Sequence, residues 1–160
     1  MTTIQHSFDE YSESHQNHTN KIIHFICVPL IFFSIVGLLI SIPTGFLHLY
    51  FRWEPPFYYN FGTVALIIAL AFYLRLSFPI FLGMLLFSTI VMIGNYFLST
   101  IEDVPLWLIS LIIFIAAWVG QFYGHKIKGK KPAFFKDVQF LLIGPAWIFS
   151  FFIKKIDIKY

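Results

Sequence analysis

The stretch IIHFICVPLIFFSIVGLLISI, residues 22–42, decides the fold. It carries no formal charge over 21 residues. At 1.5 Å rise per residue that is the length a helix needs to cross a hydrocarbon core of about 30 Å. A helix on the surface of a soluble domain is apolar along one stripe, whereas this run is apolar almost all round, as a membrane span is.

Three runs of the same kind follow, at 57–74, 78–98 and 104–125, with 18, 21 and 22 residues. A fifth, 138–153, has 16 residues and carries Gly144-Pro145 near its middle. A Gly-Pro pair interrupts a helix, so this run reads as a re-entrant or interfacial segment. The expected fold is therefore all-α. It is a single membrane domain over 1–160, a bundle of about four transmembrane helices plus a short C-terminal re-entrant or interfacial helix. Composition agrees. The chain is 58% hydrophobic and 12% charged, against about 25% charged for a soluble domain.

Positive charge orients the bundle. Cytoplasmic loops carry an excess of Lys and Arg. Placing residues 1–20 in the cytoplasm puts Lys21, Arg75, Lys126, Lys128, Lys130, Lys131, Lys136, Lys154, Lys155 and Lys159 on that side, and leaves only Arg52 outside. Both termini are then cytoplasmic. Residues 1–20 are polar and include Asp9, Glu10 and Glu13, unlike a secretory leader, so the first run is expected to stay as a span. The Lys- and Ile-rich composition favours a bacterial inner membrane, with the endoplasmic reticulum as the eukaryotic counterpart. The basic residues flank apolar runs and are not interleaved with stacking aromatics, which excludes nucleic acid as a partner. The single cysteine, Cys27, forms no intrachain disulfide and reads as a small apolar residue.

Polar residues near the spans are few, and two groups stand out. The first is His15-Gln16-Asn17-His18-Thr19-Asn20-Lys21-Ile22-Ile23-His24. On one ideal helix His15 and His24 face opposite ways, so they converge only if the helix breaks between them, and Asn17–Asn20 is a plausible break. Thr19 or Asn20 is suited to cap the start of the first span. Asn20 and His24 are one turn apart. The second group is Trp118, Gln121 and His125, spaced i, i+3, i+7 on one face of the fourth run. A polar group such as Gln121 inside a span normally faces the bundle interior and marks a site. The topology brings both groups to the cytoplasmic end. Imidazoles gathered at one depth suit a transition metal such as iron, zinc or copper, and the residues alone leave its identity open. The bland reading is that each His is an interfacial polar residue; His6 and His48 are read that way, and His18 stands between the two readings.

These residues also carry a resemblance. Tyr11, His15, Asn17, Asn20, His24 and Pro29, followed by Trp118, Gln121, Phe122, Gly124, His125, Pro132, Ala133 and Asp137 and a late Gly144-Pro145, resemble the small membrane family of 2-hydroxy fatty acid dioxygenases. The resemblance runs from about Tyr11 into the fifth run. It implies an Fe(II)-dependent enzyme that uses O2 to shorten a 2-hydroxy fatty acid by one carbon, in fatty acid α-oxidation. It implies His15, His24 and His125 as metal ligands, with His18 as a further candidate. Asn20, Gln121 and Tyr11 are then the residues that orient ligands or substrate. Where the family often has Pro, this chain has His18; where some members have another His, it has Phe114; and Lys128 follows the Gly-His where many have Glu. The competing expectations are a non-enzymatic membrane lipid-binding or scaffold protein, which holds no metal, and a haem-carrying electron-transfer or transport subunit. Against transport, the spans hold almost no ionisable residues at mid-depth.

Overall fold

The computed structural model describes residues 18–45 and 57–127, without the side chains of His18, Lys21 and residues 125–127. Tyr11, His15 and the run at 138–153 lie outside the described residues. Those described are all-helical: α1 His18–Ile40, α2 Phe61–Leu76, α3 Phe78–Ser99 and α4 Leu106–Ile127.

Each helix follows one apolar run, with ends set by local chemistry. α1 starts at His18, four residues ahead of the apolar run, so Thr19 and Asn20 stand inside the first turn and are not its cap. The Asn20 side chain instead turns into the bundle and is fully buried. Pro29 lies within α1. It forgoes one backbone hydrogen bond, a loss that membrane helices tolerate when neighbouring groups compensate. α2 starts later than its apolar run because Asn60 caps it, its side-chain oxygen accepting from the Thr63 N–H at 2.9 Å. Arg75 falls in the last turn of α2, where a cation suits the helix dipole, and not in the turn beyond it. Ser77 alone joins α2 to α3. Its N–H donates to the Tyr73 carbonyl at 3.0 Å and its carbonyl accepts from the Phe81 N–H at 2.9 Å. Pro79 then opens α3, where its missing N–H costs nothing.

Among the described residues, three helical segments are long and apolar enough to cross a membrane: Ile22–Ile40, Phe78–Ser99 and Leu106–Gly124. α2, with 16 residues, is about 24 Å long. Large apolar side chains face outward on every helix, among them Ile26, Ile68, Leu86 and Ile115. That outer surface suits lipid and would be costly in water.

α1 is the centre of the bundle. Its most extensive partner is α4; α2 and α3 pack on each other and on α1. One apolar cluster joins Phe32 and Val36 of α1 to Leu66 of α2 and Val91 of α3. A second joins Cys27 and Ile31 of α1 to Ala117 of α4. The α1–α4 seam is built on small residues, as membrane helix pairs are, because lipid offers no hydrophobic force and close approach must supply the packing. A Cβ on Gly120 would stand 2.7 Å from Cys27 Sγ, and one on Gly124 would stand 2.6 Å from Asn20 Oδ1. At the other end, Gly37 of α1 meets Ser110 Oγ of α4 and Asn95 Oδ1 of α3. As the α1 number rises through 20, 27 and 37, the α4 partner falls through 124, 120 and 110. The two helices are therefore antiparallel, and the start of α1 lies beside the end of α4.

Candidate functional site

The α1–α4 seam carries a polar level at that shared end. Asn20 and His24 lie one turn apart on α1 and are buried, at 0% and 2% exposure. Gln121 of α4 is buried at 5%. The register set by Asn20 with Gly124 and by Cys27 with Gly120 puts His24 level with Gln121. So two residue groups nearly a hundred positions apart in sequence meet at one depth, as the topology argument expects.

Burial of these groups is costly. Gln121 Oε1 has no hydrogen-bond partner among the described residues. A buried acceptor left unmade costs about 1–3 kcal/mol. Hydrophobic side chains close the level on its deeper side. Ile23, Ile35, Phe114 and Trp118 pack half-buried around Cys27, Ile31 and Ala117. The Trp118 ring stands 6.1 Å from Phe114 in an edge-on arrangement and 5.5 Å from Phe122. α1 and α4 contain no carboxylate. Glu102 and Asp103 belong to the connection at the opposite end of α4. Among the described residues, this level therefore presents amide and imidazole groups in an apolar wall, and of these the imidazole nitrogen is the usual transition-metal donor.

The remaining site residues fall as follows. His125 belongs to the last turn of α4, one turn beyond Gln121 and on the same helix face. His18 opens α1. Because the helix is continuous from His18, its position lies about 120° around the axis from that of His24. The expected break does not fall between His18 and Asn20, which belong to α1. Among the described residues, no group of three or more His, Cys, Asp or Glu gathers at metal-binding range. At this level the described residues contribute one buried imidazole, His24, and two buried amides, Asn20 and Gln121. By themselves these residues supply one imidazole donor, His24, so a metal here would need further ligands from outside the described side chains.

The sequence reading missed one polar group. Asn95 and Ser110 are both fully buried at the junction of α1, α3 and α4. Asn95 Nδ2 donates to the Val91 carbonyl at 2.9 Å and to the Phe33 carbonyl at 3.3 Å. The signal was available, since Asn95 is an amide inside an apolar run just as Gln121 is.

The family described as 2-hydroxy-palmitic acid dioxygenase Mpo1-like matches residues 1–156 of this chain. No curated protein and no solved structure matches it.

Proposed function

This chain belongs to the 2-hydroxy-palmitic acid dioxygenase Mpo1-like family, and from that premise we propose that it is a membrane-bound, Fe(II)-dependent dioxygenase. Its reaction shortens 2-hydroxy fatty acids by one carbon with O2. The observation that carries the reading is the buried level of His24 and Gln121 on facing helices, in an otherwise apolar seam.

His15, His24 and His125 hold the metal in this reading, and His18 is the further candidate ligand. The ferrous ion, when bound, supplies open coordination positions for O2 and for the carboxylate and hydroxyl of the substrate. The rest is done by the chain. Asn20 and Gln121 orient the ligands or the substrate head, the role that outer hydrogen-bonding groups play around metal sites. Gln121 Oε1, unpartnered among the described residues, is suited to accept a hydrogen bond from the 2-hydroxyl. Tyr11 is a further pocket residue. Lys21, Lys126 or Lys128 attracts the carboxylate towards the cytoplasmic face. The apolar wall of the seam keeps bulk water from the reacting end of the substrate. The host is a bacterial inner membrane, with both termini cytoplasmic.

The test is metal analysis of detergent-purified protein beside the His24→Ala and His125→Ala variants, followed by O2 consumption with 2-hydroxypalmitate. Iron near one per chain, lost in both variants, together with substrate-dependent O2 uptake, is the expected result. Protein that takes up no iron under anaerobic reconstitution is instead a lipid-binding or scaffold protein.

A further inference from the structure

The proposed reaction needs a place for the acyl tail, and the α1–α4 seam has a distinct apolar side running away from the polar level. On α1, His24, Val28 and Ile35 follow one face at i, i+4, i+11. On α4, Gln121, Trp118, Phe114 and Leu111 recur with the alternating spacings of three and four that keep one face in line. His125 stands at the next position of the same repeat. The antiparallel register sets Val28 at about the depth of Trp118 and Ile35 at about that of Leu111. The two stripes therefore form one continuous strip that starts at His24 and Gln121.

Three further observations bear on this strip. It contains only apolar and aromatic side chains beyond the polar level, with Val28 buried and Ile35, Leu111, Phe114 and Trp118 half-buried. Among the described residues, α2 packs on α1 beside it, where Gly62 meets Val36 and Ile40, and α2 and α4 share no extended contact. α3 closes the seam on its opposite side, at Gly37. The length is also suitable. From His24 to Ile35 is eleven residues, or about 16 Å of helix. One acyl tail takes about half of a 30 Å hydrocarbon core, or about 15 Å.

We infer that the strip between α2 and α4 holds the acyl tail of the substrate, with its head at His24 and Gln121 and its methyl end at Ile35 and Leu111. Leu111 is then a specificity-determining residue for chain length. This rests on the dioxygenase reading for the identity of the head group. A tail in the strip replaces lipid as the neighbour of Phe114 and Trp118. It gains selectivity because its far end meets a fixed pair of side chains and not a fluid bilayer.

Two measurements on the full-length protein test this separately from turnover. The first is photo-crosslinking with 2-hydroxypalmitate carrying a diazirine either near the head or at the tail end, read by peptide mass spectrometry. Head-proximal label is expected on peptides holding Val28 or Trp118, and tail-end label on those holding Ile35 or Leu111. Both are expected to be competed by unlabelled 2-hydroxypalmitate. Label that spreads over the outward-facing residues of all helices and resists competition is bulk lipid contact and overturns the inference. The second is the chain-length profile of Leu111→Trp and Leu111→Ala. Leu111→Trp is expected to weaken the sixteen-carbon substrate by about fourfold in apparent affinity for each methylene it displaces, while sparing shorter substrates. Leu111→Ala is expected to extend the profile to longer ones. Active variants with unchanged profiles overturn it as well. Position-dependent, competed crosslinking in a protein that consumes no O2 leaves the tail site standing and removes the dioxygenase reading.

Discussion

Gly124 of α4 and Asn20 of α1 stand in direct contact: a Cβ on Gly124 would lie 2.6 Å from Asn20 Oδ1 and 3.3 Å from Ile23 Cγ2. Gly124 thus sets how closely the two halves of the polar level approach. It also lies between Gln121 and His125 in sequence, so any shift it forces is felt at both. Gly124→Ala is expected to destabilise the bundle by about 1–3 kcal/mol, the usual cost of overpacking, and to lower activity more than a comparable substitution at Gly45, which has open space around it. Thermal denaturation in detergent and O2 uptake for the two variants check this.

Gln121→Leu separates stability from function. The substitution keeps the side-chain volume and removes a buried acceptor that has no hydrogen-bond partner among the described residues. The expected outcome is a protein as stable as the parent, or more stable by about 1–3 kcal/mol, that has lost most of its activity. A fall in stability would mean that Gln121 is a structural hydrogen-bonding group. Differential scanning fluorimetry and the activity assay, run on one preparation, distinguish the two.

Asn95 offers the contrasting case. Its amide bonds α3 to the Phe33 carbonyl of α1, and its oxygen abuts Gly37 beside Ser110. Asn95→Leu is expected to cost about 1–3 kcal/mol, through lost hydrogen bonds and misfit at a closely packed junction. Along α1, His24 lies nine residues from Phe33 and thirteen from Gly37, about 14 and 20 Å. Iron content per folded chain is therefore expected to be unchanged, in contrast to His24→Ala, and metal analysis of the folded fraction decides it.

The topology predicts which loops meet which side. In a Cys27→Ala background, a cysteine at Glu102, which is exposed in the α3–α4 connection, is expected to react with a membrane-impermeant maleimide on intact cells. One at Ser77, between α2 and α3, is expected to react only after permeabilisation. The reverse pattern would invert the bundle and place the site on the outer face.

The helices were legible in the sequence because a span needs little more than length and apolarity. The runs at 78–98 and 104–125 lie within two residues of α3 and α4 at each end. Ends set by single side chains were harder to read. Asn60 delays the start of α2 through its cap, and an apolar run alone does not register that. Asn20 reads as a helix cap by residue type, yet it is drawn inside by close approach to Gly124, a contact between distant parts of the chain that no local pattern encodes. The meeting of His24 with Gln121 was legible at the level of topology, because the expected four-span bundle returns the chain to the face it started from. The glycine contacts that fix its register were not.

The shortness of α2 has a consequence for where the protein can reside. At about 24 Å, its helix falls some 6 Å short of an average hydrocarbon core of about 30 Å, whereas α3 and α4, at 22 residues each, do not. Ser77 ties α2 to α3 with no slack, so α2 cannot slide to share the deficit. If α2 crosses a bilayer of average thickness, thinning of the bilayer along one flank of the bundle, the flank that borders the strip beside α2, is one way to accommodate it. The protein thereby acquires a preference for thin membranes, with a penalty of a fraction of a kcal/mol for each ångström of excess thickness. Thickness then becomes a control variable: short-tailed lipids favour the native bundle, and long-tailed or sterol-stiffened ones strain it on that one side.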